Sequence, residues 1–235
     1  MSLQTLFKAV NEKEIQSRST ALLGEEAMRK LASAHVLIVG VGGVGSWCAE
    51  TLARTGIGNL TLIDDDIVVE SNLNRQLQAA RSTVGRLKVE ALAERLRDVA
   101  PNCNVIAQPR RWISEKIEGY DLVIDAIDSV SCKAELILKS LAAKTPVISS
   151  MGAAFRYDPL KITYTPFDKV CGDGLARALR EKFKKLNIRP ARFYAVWSKE
   201  PKSQSQTEEV KGSLMQVTAT FGMILASKAI ERLTK

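Results

Sequence analysis

The 235-residue sequence predicts an α/β fold with a doubly wound, mostly parallel sheet, helices on both of its faces and an elaborated C-terminal part. Three observations predict this class. Short apolar, β-branched runs alternate with stretches of helical periodicity from about residue 35 to 150. A glycine-rich turn follows the first of these runs. After Gly152 the regular alternation ends, and two strands, a basic helix and a closing helix are predicted.

The N-terminal elements are indicated by their periodicity and by the residues that stop them. A short helix is predicted at 25–32, behind a polar arm. The run 35–40 is apolar and ends in glycine, which indicates a buried strand. Helical spacing over 43–54 stops at Gly56. The run 59–64 is then a second strand, and it ends in acidic residues.

The remaining elements are predicted by the same criteria. An amphipathic stretch at 84–99 is followed by Pro101, which marks the end of a helix. Further strands are predicted at 105–107, 121–127, 146–149, 161–165 and 193–197. Further helices are predicted at 131–143, 175–185 and 214–233. A loop at 198–212 is rich in polar residues, and we predict that it is mobile.

The glycine-rich turn predicts a nucleotide site. Gly40, Gly42 and Gly45 fit the pattern G-x-G-x-x-G between a strand and a helix, with Gly43 inside the turn. Glycine permits the tight turn, the approach of backbone N–H groups to phosphate, and close packing of the helix on the strand. Asp64 closes the next strand, where its carboxylate can accept hydrogen bonds from ribose hydroxyls. The pattern is Rossmann-like, and an NAD-dependent oxidoreductase explains it equally well.

The domain organisation follows from these elements. We predict one domain over 1–235. Its nucleotide-binding core occupies 35–150, and its C-terminal part, 151–235, holds the later strands, the basic helix and the closing helix.

Charged residues beyond the glycine turn favour a triphosphate over a dinucleotide. A triphosphate carries more negative charge and needs point charges and a metal. Arg75 offers a planar fork for phosphate oxygens, and Lys88 offers a compact positive charge at the start of its helix. Asp128 follows a predicted strand and is a candidate Mg²⁺ ligand, with capping of the next helix as the alternative.

The cysteines and the apolar segments bear on compartment and anchoring. Cysteine occurs singly and never as C-x-x-C, at Cys48, Cys103, Cys132 and Cys171. This spacing predicts no zinc site and no disulfide framework, so we expect a reducing, cytoplasmic setting. Neither the N-terminal residues nor the apolar stretch at 218–230 has the length of a membrane anchor.

A basic segment lies in the C-terminal part. The chain has a formal net charge of +8, and basic residues are concentrated between Arg177 and Lys202. This segment is either a docking strip for RNA phosphates or an ordinary solvated helix face. Phe193 and Trp197 lie within it, and we favour core packing for both over stacking on a base.

Several motifs in register resemble one superfamily. In chain order they read G-V-G-G-V-G-S, L-I-D-D-D, S-N-L-N-R-Q, V-G-R-L-K and D-A-I-D-S. These motifs resemble the E1-like ThiF/MoeB/ubiquitin-activating superfamily. The resemblance implies that MgATP activates a carboxylate by adenylation.

The resemblance also implies roles for residues at matching positions. Asp64 would hold the ribose, and Asp128 would hold Mg²⁺. The glycine loop, and the residues that would hold or support the phosphates, comprise Gly40, Gly42, Gly43, Gly45, Asn72, Arg75, Gln76 and Lys88. Asp66 is either a further ligand or a turn residue. Arg18 would be an arginine finger that reaches the ATP of a partner subunit, which implies a homodimer.

A subgroup of the superfamily is resembled more closely. The arm 18–24, the run 41–58, D-A-I-D-S and the late V-T-A-T-F-G resemble the tRNA threonylcarbamoyladenosine dehydratases. That resemblance implies ATP-dependent cyclisation of the threonylcarbamoyl group on a tRNA adenosine with loss of water. It implies tRNA as partner and allows for a sulfur-transfer partner. The arm departs from the family pattern, because Ile15 and Gln16 stand where Arg-Phe is usual.

Two alternatives remain beside the dehydratase. One is adenylation of the C-terminus of a small sulfur-carrier or ubiquitin-like protein, although activators of that kind usually carry C-x-x-C pairs. The other is a non-catalytic nucleotide-binding module or an NAD-dependent enzyme, and the set of Arg75, Lys88 and Asp128 counts against both.

Overall fold

The computed structural model describes residues 12–113, 116–190, 192–203 and 211–235. Its strands are β1 (His35–Val39), β2 (Asn59–Ile63), β3 (Asn104–Gln108), β4 (Leu122–Asp125), β5 (Val147–Ser150), β6 (Ile162–Pro166) and β7 (Tyr194–Ser198). Its helices are α1 (Glu12–Ile15), α2 (Ser17–Leu23), α3 (Glu25–Ser33), α4 (Gly45–Thr55), α5 (Lys88–Val99), α6 (Val130–Ala142), α7 (Gly174–Lys185) and α8 (Met215–Thr234). The predicted mobile loop includes residues 204–210, which lie outside the described part.

The strands form one seven-stranded sheet in the order β3-β2-β1-β4-β5-β7-β6. All neighbouring pairs are parallel except β6 and β7, which pair antiparallel with Ile162 opposite Ser198. The predicted α/β class with a mostly parallel sheet is confirmed. Because the first five strands in this order and β7 all point the same way, their carboxyl ends meet along one edge of the sheet.

The two faces of the sheet are covered by separate apolar cores, as a doubly wound fold requires. Strand β1 reads as an unbroken apolar run because it is buried on both faces. Its alternate side chains divide between the cores. Val36 and Ile38 belong to the cluster beneath α4, α5 and α8, whereas Leu37 and Val39 belong to the cluster beneath α6 and α7.

Helix α8 packs closely along α4 because a glycine lies at their crossing. A Cβ on Gly222 would lie 2.5 Å from the backbone oxygen of Val44 and 2.9 Å from the Cys48 nitrogen. The 20-residue α8 buries Phe221 and Leu225 in the core beside this contact. The C-terminal helix therefore abuts the start of the helix that follows the glycine turn.

Two predicted boundaries at the edge of the sheet were wrong, by four residues in α5 and by two in β4. Helix α5 begins at Lys88 rather than at 84, because Gly85 has φ +87° and Leu87 forms an antiparallel bridge with Ile67. Strand β4 ends at Asp125 rather than at 127, where the Asp125 carboxylate accepts a hydrogen bond from the Ile127 N–H. Both differences place charged side chains at the edge of the sheet.

No helix in the described ranges has the length and apolar character needed to cross a bilayer.

We expect Gly222→Ala to destabilise the protein, although alanine is the better helix former by about 1 kcal/mol. The added methyl would overlap the Val44 carbonyl, and relieving such overpacking costs about 1–3 kcal/mol. Urea denaturation would measure the loss. Met223→Ala, at an exposed position on the same helix, is the matched control and should change stability far less. A more stable Gly222→Ala would show that the helices are not in such close contact.

Candidate nucleotide-binding site

A cleft of about 990 Å³ opens at the carboxyl edge of the sheet. It is lined by the tips of β1, β2, β4 and β5, by the start of α7, and by the segment between β2 and α5. Predicted site residues that line it are Gly40, Gly42, Gly43, Asp64, Asp66, Asn72, Arg75, Gln76, Lys88 and Asp128. Residues separated by almost ninety positions in the sequence are thus brought to one surface.

Two predicted residues do not line the cleft. Gly45 lies beneath the turn, where a Cβ would be 1.8 Å from the Gly40 oxygen, so it allows α4 to start close to β1. Arg18 lies on α2, whose neighbours Gln16 and Thr20 line a separate, smaller cavity of about 260 Å³. Within one chain, therefore, the structure does not bring Arg18 to the cleft.

The glycine turn presents free backbone donors to the cleft. Gly40 has φ +87°, and a Cβ there would lie 2.7 Å from the Ala126 carbonyl oxygen, so only glycine fits against the tip of β4. The N–H groups of Gly42, Gly43 and Val44 donate to no acceptor among the described residues. These groups lie at the N-terminus of the 11-residue helix α4, whose dipole favours an anion.

The Asp64 carboxylate fixes the turn from the side of β2. Its Oδ2 accepts a hydrogen bond from the Val41 N–H at 2.8 Å, and its Oδ1 accepts one from the Asp66 N–H at 2.9 Å. Burial raises the pKa of this carboxyl, and the two backbone donors oppose that rise. The remaining lone pairs of both oxygens can accept hydrogen bonds from a ligand in the cleft.

Lys88 is held at the cleft by an ion pair. Its Nζ lies 2.6 Å from Asp66 Oδ2, and the lysine side chain is 8% exposed while that of Asp66 is 66% exposed. Asp66 therefore orients Lys88. Both readings given for Asp66 remain open, because a residue that turns the chain and pairs with Lys88 also faces the cleft.

The segment after β2 supplies Arg75 and two buried amides. Arg75 Nη1 donates to the Ser71 oxygen and to Asn74 Oδ1, both at 2.8 Å. Its backbone oxygen accepts from Trp47 Nε1 at 3.0 Å, which ties the segment to α4. The amide side chains of Asn72 and Gln76 are buried against this segment.

Asp128 stands apart from these contacts. Its side chain is exposed in the cleft, and in the described part of the chain it makes no hydrogen bond or ion pair. Helix α6 begins at Val130 with Ser129 as its N-cap, and no side chain caps it. The capping alternative for Asp128 is therefore wrong, and the carboxylate is free to meet a cation.

A buried ion pair beneath this loop escaped the sequence analysis. Lys133 and Asp125 are both 0% exposed, and Lys133 Nζ lies 2.7 Å from Asp125 Oδ2. Lys133 also donates to the Ser150 oxygen at 3.0 Å, and the Ser149 hydroxyl donates to Asp125. The pair therefore joins β4, α6 and β5 under the cleft. The available signal was a lysine among the apolar positions of a predicted helix.

Further residues of the cleft wall were missed by the sequence analysis. Asp173 caps α7 through the Ala176 N–H and also accepts from the Gly152 N–H, so it holds the far wall of the cleft. Lys202 and Lys211 line that wall as well. Trp197, by contrast, is buried in the core with Phe193, as favoured.

Removing one member of the buried ion pair should destabilise the protein, because the other charge stays buried without compensation. We expect Lys133→Met to lower the free energy of unfolding by about 3–5 kcal/mol, because Asp125 would remain buried without its cation. Denaturant unfolding at neutral pH would measure this loss. The double variant Asp125→Asn/Lys133→Met should recover a large part, while Lys139→Met on the same helix is the control. A single variant as stable as the parent would mean that the charge is compensated otherwise.

Comparison with known proteins agrees with this geometry. The model of the ThiF family matches residues 16–235. The tRNA threonylcarbamoyladenosine dehydratase of Escherichia coli is 39% identical over 242 residues, with 90% of each chain covered. That of Haemophilus influenzae is 37% identical, with 89% of each covered.

Solved structures agree as well. The crystal structure of the E. coli dehydratase in complex with AMP superposes with a TM-score of 0.90 at 38% identity, covering 96% of this chain and 97% of that one. The same protein in complex with ATP gives a TM-score of 0.86, with 94% of each chain covered. The chain belongs to the ThiF family and, within it, to the tRNA threonylcarbamoyladenosine dehydratases.

Proposed function

We propose that this protein uses MgATP to cyclise the threonylcarbamoyl group of N6-threonylcarbamoyladenosine in tRNA, with loss of water. The observation that carries the proposal is the convergence of the glycine turn, Asp64, Arg75, Lys88 and Asp128 in one cleft. Dehydratases of the same family, similar over most of their length, support this choice of substrate.

We assign the ribose and the phosphates of ATP to different groups of residues in the cleft. Asp64 receives the ribose hydroxyls, since its carboxylate has acceptor capacity left beside the two backbone donors. The free N–H groups of the glycine turn receive phosphate oxygens. Arg75 and Lys88 neutralise phosphate charge, and the neighbouring Asn72 and Gln76 support that site. Lys88 then exchanges Asp66 for a phosphate, or bridges the two.

A divalent cation fits beside Asp128. Mg²⁺ is held through one or two carboxylates together with phosphate oxygens and water. The Asp128 carboxylate, exposed in the cleft and without a partner among the described residues, supports such a site. Mg²⁺ would supply charge neutralisation of the phosphates there.

The chemistry requires activation and then ring closure. A carboxylate oxygen of the modification attacks a phosphorus atom of ATP, and the bond from that phosphorus to its bridging oxygen breaks. Pyrophosphate leaves if the α-phosphorus is attacked, and ADP leaves if the γ-phosphorus is attacked. A nitrogen of the same modification then attacks the activated acyl carbon. That carbon keeps one oxygen, the other departs with the phosphate group, and the nitrogen loses its proton. Arg75 and Lys88 act by stabilising the negative charge that develops on the phosphate oxygens.

The oligomer and the docking of tRNA complete the proposal. We propose a homodimer in which Arg18 reaches the partner's cleft, because it does not reach the cleft of its own chain. The whole chain would act as one adenylating domain in the cytoplasm. The segment Arg177–Lys202 would dock tRNA phosphates, except for Arg180, which donates instead to the Phe167 and Val170 oxygens.

Mass spectrometry tests the reaction directly. Purified protein is incubated with MgATP and tRNA bearing threonylcarbamoyladenosine, and the nucleosides are weighed after gentle digestion. We expect a nucleoside lighter by one water, formed only with ATP and lost with Arg75→Ala or Asp128→Ala. Arg86→Ala and Asp98→Ala, exposed positions on or near α5 outside the cleft, are matched controls that should leave product formation intact.

Either outcome of this experiment is informative. An unchanged nucleoside from a protein that still binds MgATP would reject the dehydratase and favour the C-terminus of a small carrier protein as substrate. Protection against thermal unfolding by NAD but not by MgATP would reject both forms of adenylation.

The raised pKa of Asp64 predicts how nucleotide affinity depends on pH. The ionised carboxylate is the better acceptor, so ATP affinity should fall as the pH decreases through a range above that of an ordinary aspartate. Calorimetric titration at a series of pH values would show the fall. Asp64→Asn should bind ATP more weakly at neutral pH, and its affinity for ATP should change less with pH. The titration of ATP itself affects both proteins equally, so it does not account for a difference between them. Parallel profiles would remove Asp64 from the ribose site.

A further inference from the structure

The cleft has a second half, on the side of β5 and β7, whose lining residues have no part in the nucleotide roles. That second half is lined by Phe155, Leu175, Ala178, Lys202 and Lys211. None of these residues belongs to the glycine turn or to the segment that carries Arg75. Apart from Lys202, which ends the proposed tRNA-docking segment, these residues have no assigned ligand.

The strand order shows where this half lies. Along the carboxyl edge the tips follow as β2, β1, β4, β5 and β7. Asp64 follows β2, the glycine turn follows β1, and Asp128 follows β4, so the proposed nucleotide roles run along the edge in that order. Neighbouring strands lie about 4.8 Å apart, which puts the tip of β5 about 10 Å from that of β1. The second half thus continues from the phosphate end of the cleft.

Phe155 is held in this half by its backbone. It has φ +60°, a conformation that costs a non-glycine residue energy and that clusters at functional sites. Its N–H donates to the Gly212 oxygen at 2.9 Å, and its oxygen accepts from the Ser203 N–H at 3.0 Å. Arg156, the next residue, is buried. These contacts hold the strained residue in place.

The ring of Phe155 is not part of the core. It is half-buried, it belongs to neither apolar cluster, and it lines the cleft. Lys202 Nζ lies 5.5 Å from the ring centroid, in the geometry of a cation–π contact. An aromatic ring beside a lysine, in a cleft that a second lysine also lines, is the kind of surface on which unpaired RNA bases stack while phosphates are neutralised nearby.

We propose that Phe155 is a specificity-determining residue that stacks on a base of the tRNA substrate, and that Lys202 and Lys211 neutralise the phosphates flanking that base. The assignment rests on the proposed function, since the RNA must deliver its carboxylate to the phosphate end of the same cleft. The stacked base is the modified adenine or the base next to it in the RNA. The Phe155 ring selects for an unstacked RNA segment over a polypeptide tail.

Substitutions at Phe155 separate stacking from packing. Wild-type protein, Phe155→Ala, Phe155→Leu and Phe155→Trp are compared for tRNA binding and for KM at saturating MgATP. We expect Ala and Leu to weaken tRNA binding by about 5- to 150-fold, the range for loss of one stacked base. Trp should retain it. The affinity for MgATP and the unfolding temperature should be similar for all variants that bind ATP.

Several outcomes would overturn this inference. Wild-type tRNA affinity in Phe155→Leu would mean that the side chain acts by apolar packing rather than by stacking. Wild-type tRNA affinity in Phe155→Ala would mean that the ring has no role in tRNA binding. Should Phe155→Ala not fold, the comparison of Leu with Trp decides alone. Cyclisation that is indifferent to Phe155 rejects the inference only. Phe155-dependent tRNA binding without cyclic product rejects the proposed reaction only.

The lysines have an independent readout. Lys202→Ala should weaken tRNA binding and reduce by about one the slope of log affinity against log salt, as expected for one phosphate contact. Lys139→Ala is the matched control and should leave the slope unchanged. Lys139 lies near the C-terminal end of α6, whereas the N-terminal end of that helix lines the cleft. An unchanged slope for Lys202→Ala would remove the phosphate contact.

Discussion

At the tip of β1 the chain turns so tightly that a Cβ on Gly40 would lie 2.7 Å from the Ala126 oxygen, and one on Gly45 would lie 1.8 Å from the oxygen of Gly40. Helix α8 closes on the same turn at Gly222, against the Val44 oxygen. These backbone contacts join β1, β4, α4 and α8 at one point. The free N–H groups of the turn are therefore held in place by elements from both ends of the chain, and no large reorganisation is needed when an anion arrives.

The charges around the turn are arranged to exchange partners. Buried Lys88 pairs with an Asp66 side chain that is mostly exposed, so the aspartate can return to water at little cost when a phosphate replaces it. Arg75 is held by neutral oxygens of Ser71 and Asn74, which a phosphate can replace with a stronger, charged acceptor. The buried pair of Asp125 and Lys133 has no such freedom, because both partners are enclosed. The first two interactions suit ligand binding, and the third suits the scaffold.

Much of the fold, and most of the residues that line the cleft beside the glycine turn, could be predicted from the sequence, because local patterns carry the information. Glycine spacing marks the turn, and apolar runs mark the buried strands. The start of α5 could not be predicted, since the bridge between Ile67 and Leu87 is a tertiary contact. Nor could the pairing of Lys133 with Asp125, which depends on where α6 settles over β4 and β5.

The same distinction explains why Phe155 carried no signal. Its strained backbone depends on hydrogen bonds to Ser203 and Gly212, which come from a distant part of the chain. A lone phenylalanine in a loop has no periodicity that sets it apart from a core residue.

The order of the strand tips gives the cleft a direction, and Asp128 lies at its middle. On one side are the tips of β2 and β1, with Asp64 and the glycine turn. On the other side are the tips of β5 and β7, and Phe155 follows β5. A cation at Asp128 would touch the phosphates at the border between the two halves. A carboxylate entering from the second half would meet the phosphates at that border. If the proposed roles hold, residues at the tips of β5 and β7 would set which acid is activated, while those at the tips of β1 and β2 would hold the nucleotide.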